Sequence, residues 1–234
     1  MKNLTFLFLV ISCLFSQNGQ PIVIGEQLNI YSETLKENRT LLIRTPANYT
    51  TNASDKYPVL YLLDGASNFQ HTVATLEFLI GQDRVPEMLI VAITNTNRTR
   101  DLTPASSDDE MPTYPATGGA DLFLDFIEHE LVPYVDKNYR TEPFKLIVGH
   151  SFGGLFAVHS LFSRPKLFNA YIAISPSLWW NKRDLVSKVE FYLKHNQFLR
   201  GQFYMTLGNE GELMEQPITH LANVLKANAP RDFD

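Results

Sequence analysis

The sequence predicts an α/β fold: a mostly parallel central sheet with helices on both faces and an antiparallel hairpin at its N-terminal end. Short, continuous apolar runs alternate with stretches of helical period, the pattern of strands buried on both faces and joined by crossover helices. One such run passes through Gly149-His150-Ser151-Phe152-Gly153 straight into a helical pattern, a sharp strand-to-helix turn. Bulk composition agrees with this class. With 44% apolar and 19% charged residues in 234, disordered, collagen-like and coiled-coil chains are excluded. A formal charge of −5 with both signs interspersed leaves no basic surface for a phosphate backbone, so no nucleic-acid partner is expected.

Residues 1–16 stand apart from the fold. Lys2 precedes an apolar run of about a dozen residues that closes at Ser16-Gln17-Asn18-Gly19, which reads as an export signal peptide. It is too short for a transmembrane helix, which needs about 20 apolar residues. Cleavage after Ser16 leaves residues 17–234 as one domain. The alternative is a lipid anchor, because Val10-Ile11-Ser12-Cys13 resembles a bacterial lipobox. Cys13 is the only cysteine, so neither an intrachain disulfide nor a thiolate metal cluster can form.

The elements follow in order. Residues 22–30 and 40–44 read as strands joined by the polar turn around Lys36-Glu37-Asn38. Residues 58–63 form an unbroken apolar run closed by Asp64-Gly65, and residues 88–93, 144–148, 170–174 and 203–207 repeat that type. The clearest helix is 120–135, where Leu122, Phe123, Phe126, Ile127 and Leu131 form one apolar stripe opposite Asp125, Glu128 and Glu130. Residues 95–119 read as one long loop leaving the C-terminal end of a strand, the edge where open α/β sheets bind ligands.

The turn at Ser151 carries the chemistry. Glycines on both sides let the neighbouring backbone approach, so the hydroxyl projects above the sheet and the Phe152 amide can face a developing oxyanion. Ser151 is the candidate nucleophile. A second oxyanion donor is expected from the loop after an earlier strand, here Asp64-Gly65-Ala66-Ser67. No His/Asp/Glu group has metal-ligand spacing and no nucleotide fingerprint is present, so neither metal nor cofactor is expected. Trp179 and Trp180 form either an aromatic wall beside the site or part of the core.

Tyr57-Pro58-Val59-Leu60-Tyr61-Leu62-Leu63-Asp64-Gly65, Arg98-Thr99-Arg100-Asp101-Leu102-Thr103-Pro104, Gly149-His150-Ser151-Phe152-Gly153-Gly154 and Ile174-Ser175-Pro176-Ser177-Leu178-Trp179-Trp180 together resemble one branch of the α/β-hydrolases. It holds the enterochelin (siderophore) esterases, esterase D, feruloyl esterases and mycolyltransferases. The resemblance implies an α/β-hydrolase fold, with the Ala66 and Phe152 amides as oxyanion donors. It places the acid after a late strand, at Leu207-Gly208-Asn209-Glu210-Gly211-Glu212; Glu210 is preferred as nearer the strand, with Glu212 the alternative. It places the catalytic histidine on a loop after one further strand. His220 follows the acid but falls within a helical pattern, and His71, His129, His159 and His195 also sit in helical patterns. His150 flanks the serine but should point away from it. Residues 231–234 stand where the further strand should begin, so the resemblance implies a domain incomplete at its C-terminus.

The expected activity is hydrolysis of a small-molecule carboxylic ester through an acyl-enzyme on Ser151. Two alternatives stay open: a binding member of the same fold without turnover, and acyl transfer to a sugar or lipid acceptor. The particular ester and the oligomeric state are not legible in the sequence.

Overall fold

A computed structural model describes residues 20–106, 114, 116–195 and 199–234. The expected signal peptide and Cys13 lie outside the described residues. A seven-stranded sheet forms the centre, in the order β1-β2-β4-β3-β5-β6-β7. Strands β1 (Glu26–Ser32) and β2 (Glu37–Arg44) make the expected antiparallel hairpin, and β2 pairs antiparallel with β4 (Leu89–Ile93). Strands β3 (Tyr57–Leu62), β5 (Thr141–His150), β6 (Ala170–Ile174) and β7 (Gln202–Thr206) continue the sheet in parallel. Every residue of β3 and β4 is buried, as their unbroken apolar runs require. The first strand begins later than its sequence suggests, at Glu26. Ile22 is 92% exposed, so apolar character alone does not recruit it to the ladder.

Helices segregate unevenly between the faces. Helix α1 (Gly65–Gly81) lays Phe69, Val73 and Leu76 against Leu60, Leu62, Ile90 and Ala92. Those three residues recur at helical spacing, and burying each contributes about 2 kcal/mol. The opposite face takes the larger core, with residues from α3 (Ala120–Phe126), α4 (Val132–Asn138), α5 (Phe152–Ser163), α6 (Trp180–His195) and α7 (Glu212–Asn228). The sequence predicts cover on both faces; among the described residues α1 alone covers its side.

Two elements differ in detail from the sequence pattern. The helix predicted over 120–135 is α3 and α4 joined by a π-helical turn, Ile127–Leu131. Leu122 is 49% exposed while Leu124 is fully buried, so the inward stripe runs through Leu124 rather than Leu122. The expected loop 95–119 contains a short helix, α2 (Arg98–Leu102), capped by the Asn97 side chain accepting from the Arg100 amide.

The sheet positions the site through its strand order. From β3 the chain moves outward to β4 on one side and later to β5 on the other. The crevice at the C-terminal ends of β3 and β5 is therefore the switch point at which such sheets bind ligands.

Candidate active site

At the end of β5 the backbone turns through Ser151, whose φ of 59° and ψ of −116° lie outside the ordinary regions for a residue with a Cβ. Hydrogen bonds hold it there. Ser151 N donates to Ile174 O at 3.0 Å, and Ser151 O accepts from Leu155 N at 2.9 Å and Ser177 N at 3.1 Å. Glycine is obligatory at 149, where a Cβ would overlap the Gly153 carbonyl. At 154 a Cβ would press on Pro176 Cα at 2.9 Å. The turn is thus a strand-to-helix elbow packed between β3 and the segment after β6.

Phe152 opens α5, and Ala66 lies in the first turn of α1. The first amides of a helix have no intrahelical acceptor, so both are suited to hold an anion. The two turns touch: a Cβ at Gly153 would stand 3.3 Å from Asp64 Oδ2 and 3.4 Å from Leu63 Cβ. Ser151 and Phe152, named from the sequence, therefore lie on a turn that packs against the one leading into Ala66.

Glu210 lies past the end of β7, where its Oε1 accepts from Ser175 Oγ at 2.6 Å. Ser175 is buried, has φ of 42°, and donates its amide to Thr206 O at 2.8 Å. Ser151 Oγ in turn lies 3.2 Å from Ser177 Oγ. The segment after β6 thus contacts Glu210 through one hydroxyl and Ser151 through the next but one. Glu212 is the first residue of α7. Sequence reasoning gave Ser175 and Ser177 no separate role; their place just after β6, inside the Ile174–Trp180 block, was the available signal.

The histidines sit elsewhere. His220 is on α7, 3.6 Å from Glu190, and His159 Nε2 is 2.8 Å from Asp121 Oδ1. Burial pushes His159 below the ordinary imidazole range, although Asp121 pulls the other way. His195 bonds Phe191 O, and His129 lies 3.9 Å from Glu128. His71 and His150 line a cavity of about 210 Å³ beside α1. Among the described residues Ser151 Oγ is bonded to a serine rather than an imidazole.

Aromatic residues wall the elbow. The Phe152 ring packs 5.8 Å from Trp179, 5.5 Å from Trp180 and 5.4 Å from Tyr114. Trp180 is a core residue, 2% exposed, and donates Nε1–H to Pro104 O at 3.0 Å. Trp179 is only partly buried, so it is the tryptophan of the two that can meet a ligand.

Comparison with known proteins identifies relatives of the chain. A family model described as "Putative esterase" matches residues 32–226. The ferri-bacillibactin esterase BesA of Bacillus subtilis is 34% identical over 185 residues, covering 69% of this chain and 63% of that protein. A siderophore triacetylfusarinine C esterase of Aspergillus fumigatus is 31% identical over 172 residues, covering 68% of this chain and 58% of its own. The chain therefore spans 58–63% of the length of these two curated relatives. The crystal structure of an IroE-like serine hydrolase from Shewanella oneidensis superposes with a TM-score of 0.83 at 34% identity, covering 89% of this chain and 71% of that one. With the family match, the relatives and the sheet order in agreement, the chain belongs to the esterase family of the α/β-hydrolases.

Proposed function

We propose that the protein hydrolyses small-molecule carboxylic esters through an acyl-enzyme on Ser151. The observation that carries this reading is the left-handed Ser151, held by its backbone bonds between β5 and α5. Ser151 Oγ attacks the ester carbonyl, and the Phe152 and Ala66 amides donate to the oxyanion as it forms. Collapse of the tetrahedral species expels the alcohol; water then attacks the acyl-enzyme and releases the acid. Glu210 orients a histidine that takes the Ser151 proton and passes it to the departing alcohol; the family resemblance is the support for that histidine. The two named relatives are siderophore esterases, which makes ester-linked siderophores the first substrates to test.

The test is hydrolysis of p-nitrophenyl acetate and butyrate by the full-length protein and its Ser151→Ala variant. The proposal expects the variant to lose about 10⁴-fold or more in turnover, as removal of a serine nucleophile does. Equal rates would show the assignment to be wrong.

A second reading rests on the Ser151–Ser177 contact, which leaves the hydroxyl without an imidazole partner among the described residues. It makes the protein a binder without turnover. A fluorophosphonate that labels Ser151 favours hydrolysis; no labelling, with ligands still raising the melting temperature, favours the binder.

Export is part of the same proposal. Residues 1–16 act as its leader, and N-terminal sequencing of the mature protein should begin at Gln17, or find a lipidated Cys13.

A further inference from the structure

Asp64 is a buried carboxylate at the head of α1, 7% exposed, with φ of 54° and ψ of 42°. It occupies the N-cap position, yet its side chain does not bond its own helix. Both oxygens are taken from across the crevice. Arg98 Nε donates to Oδ1 at 2.7 Å and Arg98 Nη2 to Oδ2 at 3.0 Å, while Asn95 Nδ2 donates to Oδ1 at 2.6 Å. This two-pronged fork is the strongest geometry open to an arginine and a carboxylate.

Arg98 also meets the elbow. Its guanidinium carbon lies 5.4 Å from the centre of the Phe152 ring, and Nη2 is 3.4 Å from the His150 carbonyl oxygen. The Arg98 side chain is thus held by the β3–α1 turn on one side and by the β5–α5 turn on the other. Those turns carry the Ala66 and Phe152 amides.

Two physical consequences follow. The spacing of two amides on separate turns is set by whatever joins the turns, and a misplacement of about 1 Å in a catalytic group costs roughly 10²-fold in rate. A bare carboxylate beside a forming oxyanion would oppose it, and the opposition is strongest where water is excluded. The arginine fork removes that opposition.

We propose that Asp64 and Arg98 are positioning residues, which together fix the spacing and the net charge of the oxyanion hole formed by Ala66 and Phe152. The proposal rests on the reading of Ser151 as nucleophile.

The test compares Arg98→Gln, Arg98→Lys, Asp64→Asn and the Asp64→Asn/Arg98→Gln double variant with the parent and with Ser151→Ala. The readouts are kcat and KM on p-nitrophenyl butyrate, affinity for phenylboronic acid, and thermal melting. Boronate forms a bond to Ser151 Oγ and sets an oxygen in the hole. Arg98→Gln and Asp64→Asn should each lower kcat by about 10²-fold while KM moves by less than about threefold. Boronate affinity should fall with kcat. The double variant should be no worse than either single one, because the two side chains act as one unit. Arg98→Lys keeps the charge without the fork and should recover only part of the rate. Arg98 is partly exposed, so its variants are expected to fold even if the Asp64 variant does not.

If the Arg98 variants keep the parent kcat while Ser151→Ala loses it, the positioning role is overturned and the nucleophile stands. A kcat loss that only tracks the folded fraction, with boronate affinity unchanged, overturns the positioning role as well. Should Ser151→Ala match the parent at whatever rate the parent shows, the nucleophile reading fails and the positioning role falls with it.

Discussion

Ser151 holds a conformation that costs a residue with a Cβ about 1–3 kcal/mol, and backbone hydrogen bonds on both sides maintain it. That strain aims the hydroxyl out of the sheet edge, so stability and function oppose each other at this residue. Replacing Ser151 by alanine or by glycine removes the hydroxyl equally, but only glycine is free of the Cβ penalty at positive φ. Ser151→Gly should therefore be more stable than Ser151→Ala by about 1 kcal/mol, read as a higher urea midpoint at equal slope. Equal midpoints would mean that the turn stores no strain. The elbow was legible in the sequence because its constraint is local: Gly149 cannot carry a Cβ against Gly153, and both lie within one short motif. The Arg98 fork on Asp64 was not legible as a contact. It joins side chains 34 positions apart, and although each lies in a block of the family resemblance, nothing in the sequence pairs the two.

At the scale of elements, α2 is fastened to the hairpin by charge. Arg39 on β2 is fully buried and Asp101 on α2 is 1% exposed; they meet at 2.6 Å. Arg100 and Arg39 both bond Glu37, and these bonds, Arg100's foremost, hold the Glu37 carboxyl below its usual range despite partial burial. The Arg39 guanidinium lies 5.0 Å from the Phe123 ring centre, so α3 closes over the cluster. Asp101→Ala removes one of the two carboxylates on the buried Arg39 guanidinium, Glu37 remaining, and should cost about 1.5–3 kcal/mol in chemical denaturation. A cost near that of an exposed pair, below about 1 kcal/mol, would show that water reaches Arg39. Sequence reading took 95–119 as loop because α2 spans a single short turn region among Asn, Thr and Pro, too short to display a helical period. The π-helical turn was hidden for a related reason. It is a five-residue turn within a continuous apolar pattern, and Leu122 and Leu124 both lie before it, so which of them is buried follows from how α3 packs and not from the turn.

Helix α5 is joined to α3 through a buried histidine. His159 is buried with its Nε2 against Asp121, and Ser163, Arg164 and Lys188 act on the same ring. Its pKa is depressed, chiefly by burial, below the value near 6.5 expected in the unfolded chain. Between the two values the unfolded state binds more protons than the folded one, so stability rises with pH there. The contribution is complete above about pH 6.5 and is lost as pH falls through the folded value. Replacing His159 by glutamine should remove this part of the acid sensitivity, flattening the dependence of melting temperature on pH below about 6.5. An unchanged slope would assign the acid sensitivity to other groups.

For the molecule as a whole, the notable asymmetry is in the sheet. Side chains of paired strands alternate faces, so Ile147, Tyr171 and Phe203 enter the large core while Val148, Ile172 and Tyr204 point to the side of α1. Helix α1 covers β3 and β4 but does not reach the far strands. Phe144 is 36% exposed and Tyr204 63%, and both line a cavity of about 420 Å³; Ile174, 37% exposed, lies on the same face. Among the described residues the outer edge of β7 is met by residues 233 and 234, through the Gly201–Phe233 bridge and a 2.7 Å bond from Phe203 N to Asp234 O. An exposed apolar face of this kind favours association between copies, since its area is available to a neighbour. Charge on that face should suppress it. Tyr204→Lys alone, and with Ile174→Lys, should lower the weight-average mass in sedimentation at a given concentration and delay the onset of light scattering on heating. If the variants sediment and scatter as the parent does, association does not use this face. The strands themselves carried half of this information. Ile172 and Ile174 read as part of a run buried on both sides, and only the observed arrangement of helices shows which of the two sides is left bare.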